Sequence, residues 1–341
     1  MEDRTRIYGV VAFAMALFLG VQLGGLILVE PLEAADKAFT QNPDDPTNSI
    51  LYVGAILVMT ALMLAAFKYD LDWIVRGFVV VASAGLAWQV FDVLVPSPFG
   101  LALAALVGVA LVAYPEWYVI DAAGVLMGGA AAGLFGISFG LLPTLVLLVV
   151  LAVYDAISVY GTEHMLDLAD GVMDMKVPVI LVLPTSLTYS FLDMQSPDNV
   201  DTGDEDEVAA DGGNADASAE QDPANAEPAG DAEDDTALDR GAFFVGLGDA
   251  VMPTILVASA AHFHTAVPNG PLPDLGLPLV TMNLPALGAI VGTQLGLVVL
   301  LWMVFKGRAH AGLPLLNGGA IAGYLLCALA AGLPLTAALG L

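Results

Sequence analysis

The chain has 341 residues, of which 58% are apolar and 13% charged, and its mean hydropathy is +0.80. An average soluble domain carries about 25% charged residues, so this composition excludes an ordinary water-soluble enzyme and a disordered chain. A formal charge of −27 with only 9 Lys and Arg leaves no basic surface to neutralise phosphates, which excludes a nucleic-acid binder.

The charge is uneven. Between Asp198 and Asp239 lie 16 of the 36 acidic residues, with Arg240 as the one basic residue at the edge. The remainder is still acidic, as suits a halophilic cell with a salty interior, where carboxylates keep surfaces hydrated and repulsion is screened. The single cysteine, Cys327, lies in an apolar run and reads as a small core residue.

A membrane-crossing helix needs about 20 mostly apolar residues. Nine candidates follow in chain order, at 7–29, 50–67, 74–95, 99–114, 118–139, 141–160, 243–263, 279–305 and 313–339. The expected fold class is therefore an all-α polytopic membrane protein. Nine transmembrane helices form a six-plus-three bundle, with a long acidic loop between the sixth and seventh. Residues 1–160 make the six-helix part and 243–341 the three-helix part. Between them, 161–175 reads as a surface amphipathic helix within a 161–194 unit, and 177–183, rich in β-branched residues and closed by Pro184, as an extended run. The segment 195–242 is an acidic linker of Asp, Glu, Ala, Gly, Pro and Asn.

Lysine and arginine set the orientation. With nine spans, Arg4, Arg6, Lys68, Arg76, Lys176, Arg240, Lys306 and Arg308 share one face, and only Lys37 falls on the other. The expected location is the cell membrane, with the amino terminus cytoplasmic and the carboxyl terminus extracellular.

Ionisable groups inside a span are costly and point to function. Asp92, Asp121 and Glu30 lie within about a turn of span ends and read as interfacial or capping groups. Asp155 and Asp249 differ. One lies near the cytoplasmic end of span six and the other near the cytoplasmic start of span seven, both roughly 8–9 Å below the same face at 1.5 Å per residue. Two such carboxylates can meet. Like charges a few ångströms apart cannot both ionise cheaply, so the pair shares one proton. The ionised acid then activates a water and the protonated one donates to a peptide carbonyl. Depth matching alone supports this dyad and a proton or ion relay equally.

Local sequence separates them. Asp155 stands in Val153-Tyr154-Asp155, and Asp249 in Gly246-Leu247-Gly248-Asp249, whose glycines allow close approach or local unwinding. The run Phe305-Lys306-Gly307-Arg308-Ala309-His310-Ala311-Gly312-Leu313-Pro314 leads into span nine at the same depth, and its glycines and Pro314 predict non-helical backbone there. Tyr-Asp in span six, Gly-x-Gly-Asp in span seven and Leu-Pro at the start of span nine resemble the presenilin and signal peptide peptidase family of intramembrane aspartyl proteases, most closely its archaeal members. The resemblance is specific over residues 141–324; the first four spans match in number and hydropathy only. The cytoplasmic amino terminus is similar to that of presenilin.

This resemblance implies that Asp155 and Asp249 are the catalytic pair. It places the family's Pro-Ala-Leu motif at Ala311-Gly312-Leu313, where only the leucine is retained, followed by Pro314. Tyr154, Gly246 and Gly248 are then candidate supports of the dyad or the substrate. The literal Pro285-Ala286-Leu287 lies in span eight, away from the aspartates. The resemblance implies substrates that are single-span membrane proteins or resemble signal peptides, met within the lipid bilayer. Obligatory partner subunits are not evident.

A substrate helix must unwind before its carbonyls can be attacked, and strand addition would then hold it. The runs 177–183 and 313–315 are the expected partners. His164, His262, His264 and His310 are too scattered for a metal site, and no metal or organic cofactor is implied. Gln294 and Asn283 are expected to hydrogen-bond between helices.

Overall fold

In the computed structural model the described residues are 2–69, 71–96, 98–161, 179–185, 189–190, 242–263, 275–276, 280, 282–306 and 311–341. The predicted surface helix over 161–175, the acidic linker, His164, His264 and His310, and the basic residues Lys176, Arg240 and Arg308 lie outside them.

The first six helices are α1 (Glu2–Ala34), α2 (Thr47–Lys68), α3 (Asp72–Leu94), α4 (Phe99–Ala113), α5 (Trp117–Ser138) and α6 (Leu141–Gly161). Two strands follow, β1 (Ile180–Pro184) and β2 (Ala242–Gly246), and then α7 (Leu247–Phe263), α8 (Leu284–Val304), α9 (Gly312–Ala330) and a single turn, α10 (Leu335–Ala338). Seven of these helices are long and apolar enough to cross a membrane; α4 and α7 are apolar but shorter.

Small residues decide which helices touch. A Cβ on Gly129 of α5 would come within 3.1–3.2 Å of the Gly24 and Gly25 backbone in α1, and one on Gly136 would collide with Ala258 of α7. Helices α8 and α9 run antiparallel at similarly close range, with Gly288, Gly292 and Gly296 set against the carbonyls of Gly323, Gly319 and Leu315. Such contacts bring backbones together in apolar surroundings, where apolarity alone gives no reason to associate. Helix α7 lies at the centre, packed on α1, α5, α6, α8 and α9. Helices α2, α3 and α4 stand at the periphery.

Three spans differ from the sequence expectation, and that at 279–305 becomes helix only at Leu284. The run 243–263 begins as strand, because Ala242–Gly246 pairs antiparallel with β1 in the register Ile180↔Gly246, Val182↔Phe244 and Pro184↔Ala242. Helix starts only at Leu247. The run 313–339 breaks after Ala330, where Gly332 takes φ +84° and Pro334 follows. The extended reading of 177–183 holds over its described part. Its partner β2 comes from the far side of the acidic linker, so the sheet ties the two halves of the chain together.

The interhelical role of the amides is observed. Asn283 donates to Ala260 O (2.7 Å) and accepts the Ala286 N–H as the α8 cap, and Gln294 donates to Gln22 Oε1 (3.1 Å). Asp92 pairs with Lys37 at 3.0 Å, as suits an interfacial acid.

Candidate active site

Three helix ends converge. Asp155 lies on the last two turns of α6 and is 7% exposed. Asp249 is the third residue of α7, where its first turn leaves N–H groups without helical partners. The third end is the start of α9. There the Leu313 N–H donates to Asp155 Oδ2 at 3.0 Å, with the Gly312 N–H also directed at that carboxylate. On the same turn, a Cβ added to Gly312 would lie 3.0 Å from Asp249 Oδ2. Two acids from different helices therefore meet at one backbone turn.

The start of α9 corrects the sequence expectation. Ala311 is extended (φ −66°, ψ 123°) and buried, but Gly312, Leu313 and Pro314 already form helix. Pro314 is tolerated because the N–H groups of a first turn have no intrahelical acceptor to lose. Residues 313–315 therefore offer no strand edge. What they offer is the free N–H of a helix start, which Asp155 takes. Gly312 is explained by space: any side chain there would press on Asp249.

Gly246 and Gly248 behave differently from the predicted close approach. Both are exposed, and a Cβ on Gly248 would meet nothing within 4 Å, while one on Gly246 would make ordinary contact with Asp249 at 3.6 Å. They leave the face beside Asp249 open. Tyr154 faces outward and is 38% exposed. The tyrosine that reaches this region is Tyr160, whose hydroxyl accepts the Ala311 N–H at 3.4 Å. Its signal was an aromatic near the same end of span six. The Pro285-Ala286-Leu287 run sits at the opposite end of α8, with Ala286 packed beside Tyr324, away from both aspartates.

Asp121 is the largest surprise. It does not face solvent or lipid as an interfacial acid would: it is 3% exposed, and its Oδ1 accepts the Val182 N–H of β1 at 2.8 Å. The sheet itself is wedged into the bundle. Leu181 and Leu183 pack into the main core with Phe18, Leu247 and Val251, while Val182 packs against Ile120 and Ala242.

A family model described as signal-peptide peptidase, presenilin aspartyl protease matches residues 15–333. The chain is similar to a solved presenilin family intramembrane aspartate protease in a C222 crystal form, with 30% identity and a TM-score of 0.59 over 94% of this chain and 99% of that one. The same description applies to a P2 crystal form, with 30% identity and a TM-score of 0.56 over 93% and 96% of the two chains. No curated protein matches.

Proposed function

Because the chain belongs to the signal-peptide peptidase and presenilin family of intramembrane aspartyl proteases, we propose that Asp155 and Asp249 are its catalytic pair and that it hydrolyses peptide bonds of membrane-spanning substrates with a water activated between them. The observation that carries this is the shared turn: Leu313 N–H holds Asp155 at 3.0 Å while Gly312 makes room for Asp249. One carboxylate takes a proton from the water as it attacks the peptide carbon. The other, protonated, donates to the carbonyl oxygen, and the roles reverse as the amine leaves. Activity should follow a bell-shaped pH profile, because two protonated acids supply no base and two ionised acids supply no proton donor.

Ala311, Gly312, Leu313 and Pro314 position the pair from α9. Gly246 and Gly248 leave the approach to Asp249 open. An unwound substrate segment adds to the β1–β2 sheet through main-chain hydrogen bonds. The Val182 N–H of β1 is already taken by Asp121, so β1 is not the edge that receives it. Gly246, exposed at the end of β2, is where an added strand would reach the acids. The protein works as a nine-span, multi-pass membrane enzyme with a cytoplasmic amino terminus and an extracellular carboxyl terminus. A proton-coupled transporter using the aspartates as a relay is not favoured.

Purified protein with a single-span substrate tests the reading. Wild type should cleave, and Asp155→Asn and Asp249→Asn should each be inert while still folded. Cleavage by either variant would remove the dyad.

A further inference from the structure

We infer that Asp121 is a positioning residue for this reaction: by holding β1 against α5 it fixes the β1–β2 sheet, and through β2 the placement of Asp249. The inference rests on the catalytic reading above and assigns Asp121 no contact with substrate or water.

In an antiparallel pair, residues alternate between those that exchange main-chain hydrogen bonds across the ladder and those whose N–H and C=O point away from it. The Leu247 N–H donates to Val179 O at 2.8 Å, in register with the ladder, while the Val182 N–H points outward to Asp121. Val182 is fully buried, so its outward N–H has no access to water. A buried donor of this kind requires an acceptor, and α5 supplies it by placing a carboxylate among apolar residues.

The consequence reaches the active site through few bonds. β2 ends at Gly246, and Asp249 follows only three residues later, on the first turn of α7. The Leu247–Val179 bond ties that turn to the residue preceding β1. If β1 slides or lifts from α5, the α7 start and its acid move with the sheet. Among the described residues Asp121 Oδ2 has no hydrogen-bond partner, so one acceptor oxygen does the work. An amide side chain should therefore replace the carboxylate, and a methyl group should not.

The test uses the full-length chain in detergent or lipid. In Asp121→Ala, the peptide containing Val182 should exchange its amide hydrogens faster, cleavage should slow about tenfold or more, as expected for a misplaced catalytic group, and products cut at neighbouring bonds should appear. Asp121→Asn should keep wild-type protection and wild-type cleavage positions. A merely stabilising residue would not move the cleavage positions. Unchanged exchange and products in Asp121→Ala would overturn the inference. If Asp121→Ala yields no folded protein, the Asn variant decides: native cleavage positions support the role, and loss of activity in a folded Asn variant contradicts it. The exchange measurement is repeated in the Asp249→Asn background, where no cleavage is required. Failure of wild type to cut substrate would then count against the catalytic reading, while the exchange result still judges the hold of Asp121 on β1.

Discussion

Helices α2 and α5 are nearly equal in length, and both are apolar enough to span a membrane, yet they end in opposite places. Of the apolar stretch of α2, 6% is buried; of that of α5, 72%. Val58 and Leu62 of α2 point outward, whereas α5 turns Gly128, Gly129, Gly133 and Gly136 to its neighbours. In lipid a leucine is as well placed outside the bundle as inside. Helices pack where small residues let backbones approach and where hydrogen bonds join them. The candidate active site is built on the second kind of surface. The peripheral helices α2 and α4 contribute none of its residues.

The contrast can be broken most forcefully at a glycine contact. Gly292→Leu would drive a side chain into the Gly319 carbonyl of α9 and should cost about 3 kcal/mol, seen as a lower unfolding midpoint in detergent. Next comes Gly312→Ala, whose methyl would lie 3.0 Å from Asp249 Oδ2. The acid must give way by a few tenths of an ångström, and turnover should fall about tenfold with the unfolding midpoint little changed. Wild-type turnover would show that Gly312 does not set the position of Asp249. Lys37→Ala removes the 3.0 Å pair with Asp92. That pair is partly exposed, so the loss should stay below about 1 kcal/mol and shrink in salt. The smallest effect belongs to α2, where Val58→Ala and Leu62→Ala should each change stability by less than about 0.5 kcal/mol. A large loss there would mean that α2 is packed against something other than lipid.

The helices were legible because each is an apolar run closed by polar, Gly or Pro residues; Leu141–Gly161 and Trp117–Ser138 were bounded to within a residue or so. The two catalytic candidates were legible because a carboxylate in such a run is rare. Hydropathy could not find β2, since Ala242-Phe243-Phe244-Val245 is as apolar as the helix it precedes, and only its partner β1 makes it a strand. Asp121 was misjudged for a related reason. Its place near the start of span five suggested a side chain facing the membrane surface, but β1 folds back over α5 and buries it. Likewise, 313–315 read as irregular from its proline, although a helix start accommodates proline without loss. Chain order decides composition, but contacts between distant segments decide which acids face water and which face a strand.

The central claim is that Asp155 and Asp249 face one another across the start of α9. An experimental structure with a hydroxyl-bearing transition-state mimic tests it most directly. That hydroxyl should lie within about 3 Å of a carboxylate oxygen from each aspartate. A mimic seated elsewhere, or carboxylates too far apart for one oxygen to touch both, would contradict the account.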